Sequence, residues 1–205
     1  MNRKKLIIIG ASGHGKVVSD IALLNGYNDI IFLDDDETIK ECCGFPVVGK
    51  TTEAKKIDGD KFVAIGNAKI RERLQKEIEM VTLIHPSAVL GRSVKIGKGT
   101  VIMAGVVINS ETRVGDGCIV NTSASIDHDC EIGDYVHIAV GAHICGTVNI
   151  GRRTWIGAGA IVSNNLNISE NVMVGAGAVV VKNIIESGTY VGVPAKSICT
   201  LKRGY

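Results

Sequence analysis

Of the five histidines in this 205-residue chain, one stands between two carboxylates, in Asp127-His128-Asp129. An imidazole with an ordinary pKa of about 6.5 exchanges protons near neutral pH. A neighbouring carboxylate favours its charged form and can hold one tautomer, which strengthens a general base. The segment therefore makes His128 the foremost candidate for a general base. Either carboxylate can instead be an ordinary turn residue, and for Asp127 that is the simpler reading. His137 and His143 follow within fifteen residues, His85 precedes Pro86, and His14 lies in a glycine-rich stretch.

That stretch, Gly10-Ala11-Ser12-Gly13-His14-Gly15, separates the apolar run Lys5 to Ile9 from a helical pattern over Val17 to Leu24. Free N–H groups and the dipole at a helix start favour a pyrophosphate. The spacing G-x-x-G-x-G departs from the dinucleotide fingerprint G-x-G-x-x-G, which weakens an NAD reading. A second strand, Asp29 to Leu33, closes on Asp34-Asp35-Asp36, where an acidic side chain can bond a ribose or a base. Lys61 to Ile65 forms a third strand and ends at Gly66-Asn67. Ile70, Leu74 and Ile78 then fall on one face of a helix. Strand–helix–strand order with apolar strands predicts a small Rossmann-like α/β domain over residues 1–80.

A different rule governs residues 81–205. Every sixth residue from Ile84 to Val180 is Ile, Leu or Val, seventeen positions without a break. Four residues after each comes a small or β-favouring residue, among them Ala88, Thr100, Cys118, Ala124, Cys130 and Ala160. Glycine often follows the aliphatic directly, as at Gly97, Gly115, Gly133 and Gly157. Three hexads close one triangular coil, and stacked coils bury what no single coil can. The pattern predicts an all-β, left-handed parallel β-helix, with no loop inserted between residues 84 and 180 and with glycine relieving the corners. Cys118 and Cys130 read as small interior residues. His128, His137 and His143 fall off the inner positions and point outward. The repeat supplies a scaffold, and function resides in what is grafted on it.

Composition agrees. Aromatic residues make up 4% of the chain against 45% hydrophobic, as suits an interior of Val, Ile and Ala. Basic and acidic residues number 23 and 21, leaving no excess charge to bind nucleic acid or an anionic membrane. Six cysteines without a Cys-x-x-Cys spacing fit neither a disulfide framework nor a zinc ribbon. No stretch reaches transmembrane length, and the expected setting is cytoplasmic.

Taken together, the repeat, Asp127-His128-Asp129, His137 nine residues on, and Gly192-Val193-Pro194-Ala195-Lys196 resemble the sialic-acid O-acetyltransferase type of hexapeptide-repeat sugar acyltransferase. The likeness is greatest to the UDP-4-amino-sugar N-acetyltransferases of the bacillosamine pathway. It extends to Gly10–Gly15, Phe32-Leu33-Asp34-Asp35 and Ala64-Ile65-Gly66-Asn67, so nearly the whole chain is covered. The resemblance implies a homotrimer with acetyl-CoA held between neighbouring β-helices. It makes His128 the base toward a sugar amine, with Asp129 raising its basicity in place of the family's longer Glu. His137 would bind acetyl-CoA, and backbone at Gly146, Ala158 and Ala176 would line its groove. Ala replaces a bulkier family residue at 158 and a Gly at 176. Ser12, Gly13, His14, Asp34, Asp35 and Gly66 would hold the nucleotide sugar, and no metal is expected.

Other chemistries remain open to such a chain. Within the class stand O-acetylation of a sialic acid and N-acetylation of a GDP-linked amino sugar. Outside it stand a zinc hydro-lyase of the γ-carbonic-anhydrase type, with His128, His137 and His143 as ligands, and a sugar-nucleotide sensor without catalysis.

Overall fold

A computed structural model describes residues 4–198. The first region holds β1 (Lys5–Ile9), α1 (Gly13–Leu24), β2 (Asp29–Leu33), β3 (Glu41–Cys42), β4 (Phe45–Gly49), β5 (Asp60–Val63) and α2 (Ala68–Gln75). The sheet order is β3-β4-β2-β1-β5, parallel except for the β3–β4 hairpin. Leu6 to Ile9 on central β1 are fully buried, because both faces of a parallel sheet are covered. α1 begins four residues before the apolar pattern suggests, since a first turn of Gly-His-Gly-Lys carries no hydrophobic signal. The glycine loop thus lies directly at a helix N-terminus.

α2 departs further from expectation. It ends at Gln75, Ile70 is exposed, and the residues it buries are Arg71 and Glu72. Its neighbour is the polar backbone and arginine side chains of the β-helix, and a polar face matches that surface.

The β-helix follows from Leu83. Its two-residue strands each end on one of the predicted aliphatics, and strands eighteen residues apart pair in parallel. Three sheets form the walls of a left-handed prism. The first wall carries Leu83–Ile84, Val101–Ile102, Ile119–Val120, His137–Ile138, Trp155–Ile156 and Val172–Val174. The second runs from Val89–Leu90 to Val179–Val180, and the third from Lys95–Ile96 to Asn167–Ile168. The aliphatic ladder, Cys118 and Cys130 form one buried core. No loop interrupts the coils.

Glycines after the aliphatics serve close approach rather than corner geometry. A Cβ on Gly157 would lie 2.6 Å from the Ala176 amide of the next coil. The left-handed corner residue comes two positions later, and Asp129 occupies one such place at φ 57°.

The α/β region packs on the first wall. Outward-facing Leu83, Val101 and Ile119 share a buried cluster with Leu6, Ile8 and Phe62. Arg71, wholly buried, donates to the carbonyls of Ile65 and Gly66 within its own region and of Gly117 and Tyr135 on the prism, at 2.6–2.9 Å. Glu72 accepts from Arg152 at 2.6 Å. Both contacts tie the two regions together.

Candidate active site

His128 lies on the corner between the second and third walls, and every backbone group around it is pinned. Its carbonyl accepts from Thr147 N at 2.9 Å, and its N–H donates to Asp127 Oδ1 at 2.9 Å. From one coil below, the buried Thr112 hydroxyl donates to the Asp127 carbonyl at 2.7 Å and accepts from Cys130 N at 3.2 Å. Asn109 donates to Asp127 Oδ1 at 2.7 Å. Asp127 is therefore a structural clamp on the turn.

The left-handed backbone of Asp129 returns its carboxylate to the imidazole, with Oδ2 2.7 Å from His128 Nδ1. A carboxylate only accepts there, so Nδ1 carries the proton and Nε2 keeps its lone pair. That hydrogen bond, helped by the charge of Asp127, raises the His128 pKa above 6.5. The shorter Asp129 does reach the ring.

His137 also projects from the prism, yet the α/β region covers it and leaves it 8% exposed. The hexad rule fixes which way a side chain points; it cannot say what a second domain lays over it. The ring lies 4.1 Å from Trp155, centroid to centroid, and Nε2 is 3.3 Å from Asn121 Nδ2. Burial, then the charge of Arg71, then His14 push its pKa down to about 3; burial and Arg71 push His14 to about 4. Both imidazoles are neutral at pH 7. His137 Nδ1 and His14 Nε2 are buried without a partner among the described residues. Each can meet a donor or acceptor on a ligand.

On the α/β side, Asp34 grips the glycine loop, its Oδ2 accepting from Ala11 N at 2.7 Å. The Asp35 carboxylate accepts from Thr51 N and Oγ1 at 2.9–3.1 Å. Ser12 is the N-cap of α1 and makes no side-chain cap bond, and exposed Gly13 opens the helix. Gly66 borders a cleft of about 920 Å³ between the start of α2 and the first wall, lined also by Lys69, Arg153, Trp155 and Met173.

Ala158 and Ala176 are exposed and stack one coil apart on the corner between the first and second walls. A Cβ on neighbouring Gly159 or Gly177 would meet nothing within 4 Å. Gly146 lies on the His128 corner. Within one chain, then, His14, Gly66, His137, Ala158 and Ala176 gather on one side of the prism. His128 and Gly146 occupy the opposite corner. His143 is on the second wall, its Nδ1 2.8 Å from Ser125 Oγ. His137 projects from the first wall, His143 from the second and His128 from the corner between the second and third, and no metal-ligating cluster occurs among the described residues. Asn121, Trp155, Arg71, Thr112 and Arg153 join the site without any sequence signal; only stacking at eighteen-residue intervals flags some of them.

Residues 5–78 match the family described as the PglD N-terminal domain. UDP-N-acetylbacillosamine N-acetyltransferase of Bacillus subtilis (strain 168) is 37% identical over 114 residues. That match takes in 49% of this chain, and it spans about half (52%) of the curated relative's length. Among solved structures, the acetyltransferase domain of PglB from Neisseria gonorrhoeae FA1090 superposes with a TM-score of 0.92 at 41% identity. It covers 96% of this chain and all of that one, and it has also been solved in complex with acetyl coenzyme A. PerB from Caulobacter crescentus, in complex with CoA and GDP-perosamine, gives 0.89 at 36% identity, covering 95% and 97% of the two chains.

Proposed function

The chain belongs to the hexapeptide-repeat sugar acetyltransferases, and from that membership we propose that it moves the acetyl group of acetyl-CoA to the amine of a nucleotide-linked 4-amino sugar. The observation that carries this reading is the His128–Asp129 pair, with Nδ1 tied down and Nε2 free. His128 takes the proton from the sugar amine as its nitrogen attacks the thioester carbon. The carbon–sulfur bond breaks, and the departing thiolate takes up a proton. General-base assistance of this kind contributes roughly 10²–10⁴-fold, and alignment of amine and thioester supplies much of the rest.

The nucleotide sugar lies along the α1 N-terminus and past Gly66 toward the Trp155 cleft. Acetyl-CoA, which supplies the activated acyl group, runs along the Ala158–Ala176 corner with His137 at its reactive end. The orphaned His137 nitrogen and the open space at that corner fit such a ligand. His128 must then come from another copy, so the enzyme is a homotrimer with sites between subunits. The outer residues of the second wall favour this assembly: Val89, Val107 and Ile161 are exposed there, while the third wall presents Lys95, Arg113, Glu131, Asn149 and Asn167. Among the described residues no helix is long and apolar enough to cross a membrane. We place the reaction in the cytoplasm, where both co-substrates are made.

The test is coenzyme release across a panel of UDP- and GDP-linked 4-amino sugars, together with a sialic acid. Turnover is expected with one of the amino sugars and is expected to fall at least about 100-fold in His128→Ala. Acetylation of the sialic acid alone, or of nothing in the panel, would overturn the reading.

A further inference from the structure

Gly146 stands directly above His128 on the same corner, eighteen residues on. A Cβ built there would lie 2.7 Å from both His128 Cε1 and Nε2 and 3.3 Å from Cδ2, closer than real Cβ atoms approach a neighbour. The backbone does not call for glycine, since Gly146 is absent from the left-handed residues. The corner does not either: the equivalent places in other coils hold Arg92, Ser110 and Asn164. Only the residue above the imidazole lacks a side chain.

We propose that Gly146 is a positioning residue for the general base, a seat that lets the His128 ring lie down against Asp129 with Nε2 uncovered. The proposal rests on the reading of His128 as the base. It differs from a role in which position 146 meets only the coenzyme through its backbone. A methyl group at 146 has one economical escape: the ring, an exposed and rotatable side chain, swings away. The swing breaks the 2.7 Å bond to Asp129 and leaves the buried coils untouched. The damage falls on catalysis and spares the fold.

The experiment is Gly146→Ala with three readouts: thermal melting, separate kcat and KM values across pH, and an NMR titration of the His128 ring in the ligand-free protein. Melting is expected to be unchanged. kcat is expected to fall about 10²-fold, and the titration of His128 is expected to return toward its ordinary value near 6.5. An unmoved titration would overturn the seat, whether kcat falls or only the KM for acetyl-CoA rises. His128→Ala separates the two claims. Full turnover in that variant sinks the base reading itself, whereas an inactive His128→Ala beside an unperturbed Gly146→Ala sinks the seat alone.

Discussion

Around His128 two carboxylates act differently. Asp129 meets Nδ1 directly, while Asp127 is held by Asn109 and by the His128 amide and acts on the ring through its charge. Both favour the protonated imidazole, the hydrogen bond first, so the ring titrates above 6.5. A base works in its neutral form, and that form is lost as pH falls through the raised value. The acidic limb of the kcat profile is therefore expected above pH 6.5. His14 and His137 cannot produce that limb, because they stay neutral down to about 4 and about 3. Asp129→Asn keeps an oxygen that can accept from Nδ1 and removes the charge. Its limb is expected to slide toward 6.5 and its plateau to drop, about tenfold as an order of magnitude for one lost charge-assisted contact. A pH–rate profile with an unmoved limb would show that Asp129 does not tune the base.

At the scale of elements, α2 matters less as an amphipathic helix than as the carrier of Arg71. One guanidinium satisfies four backbone carbonyls from both regions, and one of them belongs to Gly66, which borders the cleft proposed for the nucleotide sugar. Arg71→Met conserves volume and leaves those acceptors without a donor. A stability loss of about 3 kcal/mol is expected, read as a shift in the denaturant midpoint. The KM for the nucleotide sugar should rise while that for acetyl-CoA holds. Arg71→Lys, with a charge but no planar fork, should fall between. An unchanged midpoint would show that the regions are held by their apolar contact alone. This element also marks where the sequence stops being readable. The hexad rule is local and repetitive, so strands, walls and the outward direction of His128 and His137 could be read from it directly. The buried face of α2 and the cover over His137 depend on contacts between the two regions, as far apart in sequence as the 80 residues from Glu72 to Arg152. No local period encodes them. Asp35 shows the same limit: its carboxylate accepts from Thr51, 16 residues on, a contact that an acidic residue at a strand end does not announce.

For the whole molecule, the prism has a consequence that neither region has alone. A triangular solenoid cannot bring a corner to its opposite wall, so under the proposed function His128 and the glycine loop of one chain serve different substrate molecules. Copies related by a closed rotation solve this if the corner of one meets the covered wall of the next. The arrangement predicts complementation. His128→Ala removes the base but keeps the loop, and Gly13→Trp blocks the loop but keeps the base. Each variant alone is expected to be inactive. In a randomly mixed assembly, about one quarter of the interfaces join an intact base to an intact loop. Co-expression should therefore restore up to about that share of wild-type turnover, and mixing the two preformed proteins without dissociation should restore none. A co-expressed mixture confirmed by mass spectrometry to contain mixed assemblies, yet still inactive, would place both halves of the site in one chain and overturn the shared-site architecture.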